Sequence, residues 1–213
     1  MTVEIWSDIV CPWCCIGKAH FDQALASFEY RDEVRVVWRS FELDPGAPAV
    51  RDDTVAAQIA ARYGGTEAEA RPLLDQMTAR AAALGLHFDF DRARSGNTFD
   101  AHRLLHLARS VRLESTLTER LFRAYFSDGD AIGDRETLVR IAAESGLDAR
   151  EARAVLESTR YADDVRADEA EARALGVTGV PFFVFDRRLA ASGAQPPELL
   201  LSALQQARAA ATD

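Results

Sequence analysis

The sequence predicts an α/β fold in which a β-α-β unit near the start and a β-β-α unit near the end are separated by a long helical insertion. A strand-like run from Thr2 to Trp6 is followed by a helix that begins at Pro12 and by a second apolar strand. From about Asp53 to Leu175 only helical periodicity is legible. Two short strands and a final helix complete the chain, so the two separated pieces must meet in one sheet.

The first unit is predicted from its apolar spacing. A helix from Pro12 to about Glu29 carries one apolar stripe, formed by Cys14, Gly17, Phe21, Ala24, Leu25 and Phe28. Gly17 lacks a Cβ atom and therefore allows a close approach to a neighbouring strand. The next strand, Val34 to Phe41, is nearly continuous in β-branched and aromatic residues, as expected of a buried parallel strand after a crossover helix.

The insertion begins where the composition changes to proline and glycine. Within it, Thr66 and Glu69 form a capping-box pattern, and Pro72 predicts a kink or a helix start. We therefore predict two domains, a sheet-containing one formed by residues 1–44 and 176–213 and an all-helical one over residues 45–175.

The end of the chain changes from helical to strand character. A helix from Tyr161 to Leu175 precedes a hairpin of Phe182–Phe185 and Leu189–Ser192, and a last helix opens at Pro196 and runs to about Ala210. Pro181 cannot donate to a strand ladder, so we expect it at the first residue of the strand with a cis bond after Val180. The Val180 backbone would then face a bound peptide strand beside the start of the first helix.

Cys11-Pro12-Trp13-Cys14 is the motif that indicates redox chemistry. Because proline favours the first helical position, Cys11 is predicted at the helix N-terminus and Cys14 one turn later on the same side, which allows a disulfide. The thiolate is the attacking species, and the helix dipole favours it, with the amides of Trp13 and Cys14 as expected donors to the Cys11 sulfur. Cys11 should therefore attack a substrate sulfur, and Cys14 should resolve the mixed disulfide.

Two other interpretations of the cysteines stay open. A zinc half-site would need four ligands, but the remaining cysteine is Cys15, and no second C-x-x-C or histidine pair has ligand spacing. We therefore expect no metal. A pair of inert packing thiols would be an unusual use of both sides of a proline-led helix start.

The bulk composition excludes several classes of partner. The 34 acidic and 25 basic residues give a net charge of −9, and the arginines are scattered among acidic residues, which argues against nucleic-acid binding. No run approaches the roughly 18 apolar residues that span a bilayer, so no membrane partner is expected. Three cysteines adjacent in sequence cannot form a long-range disulfide framework, and the first residues lack a signal-like apolar stretch, so we predict a cytoplasmic protein.

Three groups of residues occur in order along the chain: Ser7-Asp8-Ile9-Val10-Cys11-Pro12-Trp13-Cys14 with Ile16-Gly17-Lys18, Asn97-Thr98 with Ala101-His102-Arg103-Leu104, and Gly176-Val177-Thr178-Gly179-Val180-Pro181. Together they resemble the DsbA-like thioredoxin family, and its FrnE branch in particular, over essentially the whole chain, residues 1–210. The resemblance implies a thioredoxin fold with an all-helical insertion and thiol–disulfide oxidoreductase activity without a metal or organic cofactor. It also implies Cys11 and Cys14 as the redox pair and Pro181 as a cis-proline opposite them.

The sequence departs from relatives of this kind at two points. The position of Cys15 is more often aromatic in them, and its helical phase turns it away from Cys14, so it is either a small buried apolar residue or a third redox thiol. Some relatives carry a second cysteine pair near the C-terminus, and this sequence has none, which excludes a two-pair relay within the chain.

Two alternative functions follow from the same resemblance. The 2-hydroxychromene-2-carboxylate isomerases and kappa-class glutathione transferases share this architecture and bind glutathione, but a serine commonly stands in them where Cys11 stands here. A glutathione-dependent isomerase or transferase is therefore the first alternative, and a redox-fold adaptor or chaperone is the second. For the oxidoreductase, glutathione is a candidate co-substrate.

Further residues are candidates for the site. Trp13, Val180 and Pro181 are expected to contact a protein or small-thiol substrate; the other candidates are Pro12, Asp8, Asn97, Thr98 and His102. Asp8 could accept a proton during resolution, or it could be a capping or a solvated residue. Asn97 and Thr98 are typical of a helix cap, His102 beside leucines is typical of a structural histidine, and Lys18 is expected at the surface. A monomer and a dimer are both compatible with the sequence.

Overall fold

The computed structural model describes residues 1–212, with side chains over residues 1–210, so the predicted domain end at 213 lies outside the described residues. It confirms the predicted α/β class. The sheet contains β1 (Thr2–Ser7), β2 (Arg35–Ser40), β3 (Phe182–Phe185) and β4 (Leu189–Ser192) in the order β2-β1-β3-β4. β1 pairs with β2 in parallel, and β3 runs antiparallel to both β1 and β4, so both ends of the chain contribute to one sheet.

The helices over the described residues are α1 (Pro12–Ala26), α2 (Val55–Tyr63), α3 (Glu67–Ala82), α4 (Phe99–Ser110), α5 (Glu114–Arg123), α6 (Arg135–Glu144), α7 (Ala149–Leu156), α8 (Ala162–Ala174) and α9 (Pro197–Thr212). A 3₁₀ turn, Arg31–Glu33, follows α1, and a π-helical turn, Ala124–Asp128, follows α5. None of the helices within residues 1–212 has the length and apolar character needed to cross a membrane.

The chain divides into two compact units. The first comprises Met1–Leu43 and Val165–Asp213, and the second comprises Asp44–Asp164. The second boundary lies earlier than the predicted one at 175, because the residues from Val165 onward, and with them most of α8, belong to the sheet-containing unit. Within that unit, Asp168 of α8 accepts a hydrogen bond from the Trp6 indole through its backbone carbonyl, at 2.9 Å, and Ala172 packs with Trp6.

The alternation of β1 gives the first unit two cores. Val3 and Ile5 point to one face, where they pack with α1 and α9. Trp6 points to the other face, where it packs with α8, and Glu4 shares that face. Full burial of one large apolar side chain stabilises the fold by roughly 1.5–3 kcal/mol, so both faces of this strand contribute to stability.

Asp168 also binds the last two residues of the edge strand β2. Its Oδ2 atom accepts the Ser40 backbone N–H at 3.0 Å, and its Oδ1 atom accepts a hydrogen bond from Arg39 at 2.7 Å. Asp168 is buried, so the ion pair with Arg39 offsets much of the cost of placing a carboxylate there.

In the second unit the predicted capping box of α3 is confirmed. The Thr66 hydroxyl accepts from the Glu69 amide at 3.3 Å, and the Glu69 carboxylate accepts from the Thr66 amide at 2.8 Å. α3 therefore begins at Glu67, and Pro72 lies inside it instead of starting it. The predicted first helix is shorter than expected, because α1 ends at Ala26 and the chain turns before β2.

A close backbone crossing organises the start of the second unit. A Cβ atom on Gly133 would lie 1.7 Å from the Ala49 carbonyl oxygen, and one on Gly96 would lie 2.0 Å from the same oxygen. Both distances are impossible for real atoms. The segment around Ala49 therefore passes between two positions at which only glycine fits.

Candidate active site

Cys11 is held at the N-terminus of α1 by its backbone. It is the N-cap residue in an extended conformation (φ −87°, ψ 111°), and Pro12 occupies the first turn. Its N–H donates to the Asp8 carbonyl at 3.2 Å, and its own carbonyl accepts from the amides of Cys14 and Cys15 at 3.0 and 3.3 Å. The loop after β1 thus places the Cys11 thiol at the positive end of the helix dipole.

The partner of the Cys11 sulfur differs from the one predicted. The Cys14 amide donates to the Cys11 carbonyl, and the Cys11 side chain makes no capping hydrogen bond, so the expected donation from the first turn to the sulfur is wrong. The Cys11 thiol instead donates to the Val180 carbonyl oxygen, with Sγ and O 3.5 Å apart. This contact joins the helix start to the residue before Pro181. Only 4% of the Cys11 surface is exposed.

Cys14 lies behind Cys11 and is 1% exposed. Burial raises the pKa of its thiol well above the ordinary value, and the adjacent Cys11 side chain adds to the rise through a hydrogen bond and its charge. The Ser7 side chain and the Asp8 backbone oppose the rise by hydrogen bonding. Cys14 is therefore a neutral thiol at ordinary pH, and it must lose a proton before it can attack.

Cys15 faces a different environment. Burial raises the pKa of its thiol to about 12, which Lys18 partly opposes. The Lys18 side chain is buried and forms an ion pair with Asp22 at 2.6 Å, so its predicted surface position is wrong. Lys18 can be buried because its ammonium group meets a carboxylate one turn further along α1.

Pro181 packs directly against the cysteine helix. The Val180–Pro181 peptide bond is cis, Pro181 is buried, and its carbonyl accepts from the Gly193 amide at 2.8 Å. A Cβ atom on Gly17 would lie 2.8 Å from the Pro181 ring, so the absence of a side chain at Gly17 allows α1 to approach this closely.

Asp8 anchors the loop that precedes Cys11. Its carboxylate is 1% exposed and accepts the amides of Ile9 and Leu43, each at 2.7 Å. Leu43 follows β2, so one side chain ties together the segments that leave two neighbouring strands. Trp13 and Pro12, which complete the motif, are partly buried.

The remaining candidates lie in the second unit. The Asn97 side chain accepts from the Phe99 amide at 3.0 Å and donates to the Pro45 carbonyl at 3.2 Å. Asn97 therefore connects the start of α4 to the loop that contains Pro45. Thr98 is the N-cap residue of α4, but its side chain makes no capping hydrogen bond. His102 is buried within α4.

Sequence reasoning missed Ser7 and Gly193. Ser7 is the last residue of β1 and faces Cys14. The alternation of β1 could have found it, since Val3, Ile5 and Ser7 share one face. Gly193, which supports Pro181 by its amide, follows β4 with φ +81°, and only its glycine identity signals the turn. Within residues 1–212, no three His, Cys, Asp or Glu side chains are grouped to hold a metal ion.

Comparison with known proteins agrees with this arrangement. The DSBA-like thioredoxin domain family matches residues 2–205. The chain belongs to this family. The DsbA-like chain is also similar to the uncharacterized protein YwbO of Bacillus subtilis strain 168, with 28% identity over 184 residues and 85% of each sequence covered.

Solved structures share the whole DsbA-like architecture. The crystal structure of a probable DsbA oxidoreductase, SCO1869 from Streptomyces coelicolor, is 50% identical, with a TM-score of 0.92 over 98% of this chain and 90% of that one. The cytosolic disulfide reductase DsbM from Pseudomonas aeruginosa, solved with GSH, is 19% identical with a TM-score of 0.66 over 98% and 100%. A 2-hydroxychromene-2-carboxylate isomerase is 14% identical with a TM-score of 0.65 over 97% and 95%. The last two show the fold alone.

Proposed function

We propose that this DsbA-like chain is a thiol–disulfide oxidoreductase in which Cys11 is the nucleophile and Cys14 the resolving thiol. One observation carries the proposal: two hydrogen-bonded thiols occupy the N-terminal turn of one helix, and the inner thiol is held neutral by burial. The 50% identity to a protein named a probable DsbA oxidoreductase supports the same chemistry.

The reaction consists of two exchanges. The Cys11 thiolate attacks one sulfur of a substrate disulfide; a bond forms between Cys11 and the substrate, the substrate disulfide breaks, and its other sulfur leaves as a thiolate. Cys14 then releases its proton to water and attacks the Cys11 sulfur, so the second substrate sulfur leaves. The substrate gains two electrons and the Cys11–Cys14 pair loses them. The reverse sequence oxidises a substrate dithiol.

The substrate class follows from what surrounds Cys11. We propose protein or small-thiol substrates that contact Trp13 and the Val180–Pro181 backbone. Trp13 lies between the two cysteines in the sequence, and the Val180 carbonyl accepts a hydrogen bond from Cys11. Glutathione is the proposed co-substrate that restores the pair, and a cytoplasmic setting is proposed with it, as for the DsbM reductase named cytosolic. The FrnE branch remains the proposed subfamily.

The glutathione-dependent isomerase is the alternative that the fold allows. Cys14 favours exchange over it, since a second thiol in contact with the first has a direct use in resolving a mixed disulfide and none in isomerisation. Isomerase or transferase activity should survive Cys14→Ser, whereas disulfide exchange should stop at the mixed disulfide. An adaptor or chaperone activity should persist in a variant in which both Cys11 and Cys14 are replaced by serine.

The deciding experiment is a redox titration of the purified chain in buffers of glutathione and its disulfide, read by mass spectrometry. We expect one reversible disulfide between positions 11 and 14. Cys14→Ser should accumulate mixed disulfides with glutathione at Cys11, Cys11→Ser should form none, and Cys15→Ser should titrate like the parent. Failure to form the 11–14 disulfide at any ratio, or equal exchange by Cys11→Ser, would refute the proposal.

A further inference from the structure

One face of α1 meets the segment that follows β4. Gly17 lies one turn after Cys14, and His20 lies one turn after Gly17, so each neighbouring pair is adjacent on the helix surface. At Gly17 the helix approaches the Pro181 ring, and Ala194 lies close to the same position, where a Cβ atom would be 3.4 Å from its Cα atom. The cysteine helix thus contacts both the residue before β3 and the segment after β4.

The segment after β4 is fixed by local hydrogen bonds. The Gly193 amide donates to the Pro181 carbonyl at 2.8 Å, and the Gln195 amide donates to the Gly193 carbonyl at 2.9 Å. The Gln195 side chain donates to the Ser192 carbonyl at 2.7 Å. Movement of Gln195 relative to α1 would therefore be passed to Pro181 through Gly193.

His20 fixes Gln195 to the helix. Its Nδ1 atom lies 2.9 Å from the Gln195 carbonyl oxygen. A carbonyl can only accept, so Nδ1 carries the hydrogen.

We propose that His20 is a positioning residue for the exchange reaction, because its bond to Gln195 holds Gly193, Pro181 and the Val180 carbonyl in place against the Cys11 thiol. The inference rests on the proposed function and names a determinant of its redox equilibrium. The chain of contacts runs from α1 at His20, through the segment after β4, and returns to the start of α1 at Cys11.

The contact at Cys11 gives the proposal a direction. A thiol can donate to the Val180 carbonyl, whereas the sulfur of a Cys11–Cys14 disulfide carries no hydrogen. The contact therefore stabilises the reduced pair while Cys11 carries its proton, and it stabilises neither the disulfide nor the Cys11 thiolate. If loss of the His20 bond loosens the carbonyl, the reduced form loses this stabilisation, and the equilibrium with glutathione moves toward the protein disulfide.

The test compares His20→Ala with His20→Asn, because the Asn side-chain amide can place a donor close to the position of Nδ1. Gln23→Ala, an exposed position on the same helix, is the matched control. The measurement is the equilibrium constant for oxidation of the Cys11–Cys14 pair by glutathione disulfide. We expect His20→Ala to raise this constant roughly two- to threefold, as loss of a weak hydrogen bond does, and His20→Asn and Gln23→Ala to leave it near the parent value.

The outcomes separate this inference from the proposed function. A parent protein that forms no 11–14 disulfide refutes the function. A parent that exchanges normally, with His20→Ala unchanged or shifted toward the dithiol, refutes the positioning role alone. If His20→Ala fails to fold, His20→Gln replaces it in the test. The Gln side chain is longer than that of Asn and misplaces the donor, so His20→Gln should raise the oxidation constant while His20→Asn leaves it near the parent value. Equal constants for the two variants would overturn the proposal.

Discussion

The Cys11 sulfur lies 3.5 Å from the carbonyl oxygen of Val180, although the two residues are 169 positions apart in the chain. The sheet makes this contact by placing β3 antiparallel to β1, so that the start of β3 lies beside the end of β1. Val180 precedes the first strand residue by two positions, and Cys11 follows the other strand after a short loop. Four predictions follow from the cysteines, from the loop before Cys11 and from a close contact within the second unit.

Cys11 should be the cysteine of the reduced protein that reacts with a small alkylating reagent at pH 7 to 8. Burial raises the pKa of Cys14 well above its ordinary value and that of Cys15 to about 12, so both stay neutral in this range. Peptide mass spectrometry after brief exposure to iodoacetamide gives the modified position. Labelling of Cys15 at a rate equal to that of Cys11 would contradict the assignment; a urea-unfolded sample, in which all three thiols should react, is the control.

The free energy of unfolding should fall at alkaline pH, and Cys15→Ala should reduce the fall. The pKa of Cys15, about 12 in the folded protein, lies above the value near ~8.5 of an unfolded chain. Its contribution to stability is therefore complete below that lower pH and is lost as the pH rises toward 12. One such thiol gives a slope of roughly 1.4 kcal/mol per pH unit between the two values.

Denaturant titrations of the parent and of Cys15→Ala between pH 8 and 11 measure these slopes. The comparison uses the slope and not the absolute stability, because the substitution also removes packing contacts. Parallel curves for the two proteins would show that Cys15 does not titrate as described.

Asp8→Asn should destabilise the protein by about 1–3 kcal/mol, the cost of leaving a buried polar group unsatisfied. The carboxylate accepts two amides, from Ile9 and Leu43, whereas an asparagine side chain has one oxygen and would turn an NH₂ group toward the other amide. Urea unfolding measures the change. Asp52→Asn, at an exposed aspartate, should change stability by less than about 0.5 kcal/mol; an equal loss in both variants would contradict the anchoring role.

Gly133→Ala should destabilise the second unit strongly, by about 3 kcal/mol or more. The new Cβ atom would lie 1.7 Å from the Ala49 carbonyl oxygen, which belongs to the backbone and cannot move aside as a flexible side chain can. Gly46→Ala is the control, because its Cβ atom would meet nothing closer than 3.7 Å. Thermal unfolding of the two variants should differ clearly, and similar melting temperatures would refute this explanation of Gly133.

The strands and the motif could be predicted because their signals are local. Proline after Cys11 fixes a helix start, and the short apolar runs Phe182–Phe185 and Leu189–Ser192 match β3 and β4. The burial of Lys18 could not be predicted from its neighbours, since it depends on the pairing of its charge with Asp22 in a folded environment. Hydropathy alone places a lysine at the surface.

The partner of the Cys11 sulfur was beyond sequence reasoning for a related reason. Helix geometry supplies donors at the first turn, but which of them faces the sulfur depends on the side-chain rotamer and on what lies opposite. The opposite group is a carbonyl from the far end of the chain. The C-terminal boundary of the second unit could not be predicted from the sequence either. The helical periodicity of α8 shows which of its residues are buried, but it does not show which unit they belong to.

The carboxylate of Asp168 has a consequence for self-association. β2 is an edge strand, and an edge strand with open main-chain groups is a template on which another molecule can add a strand and begin to aggregate. By accepting the Ser40 N–H, Asp168 occupies one main-chain donor at the end of this strand. A strand that added along β2 would therefore find one fewer main-chain donor at the Ser40 end.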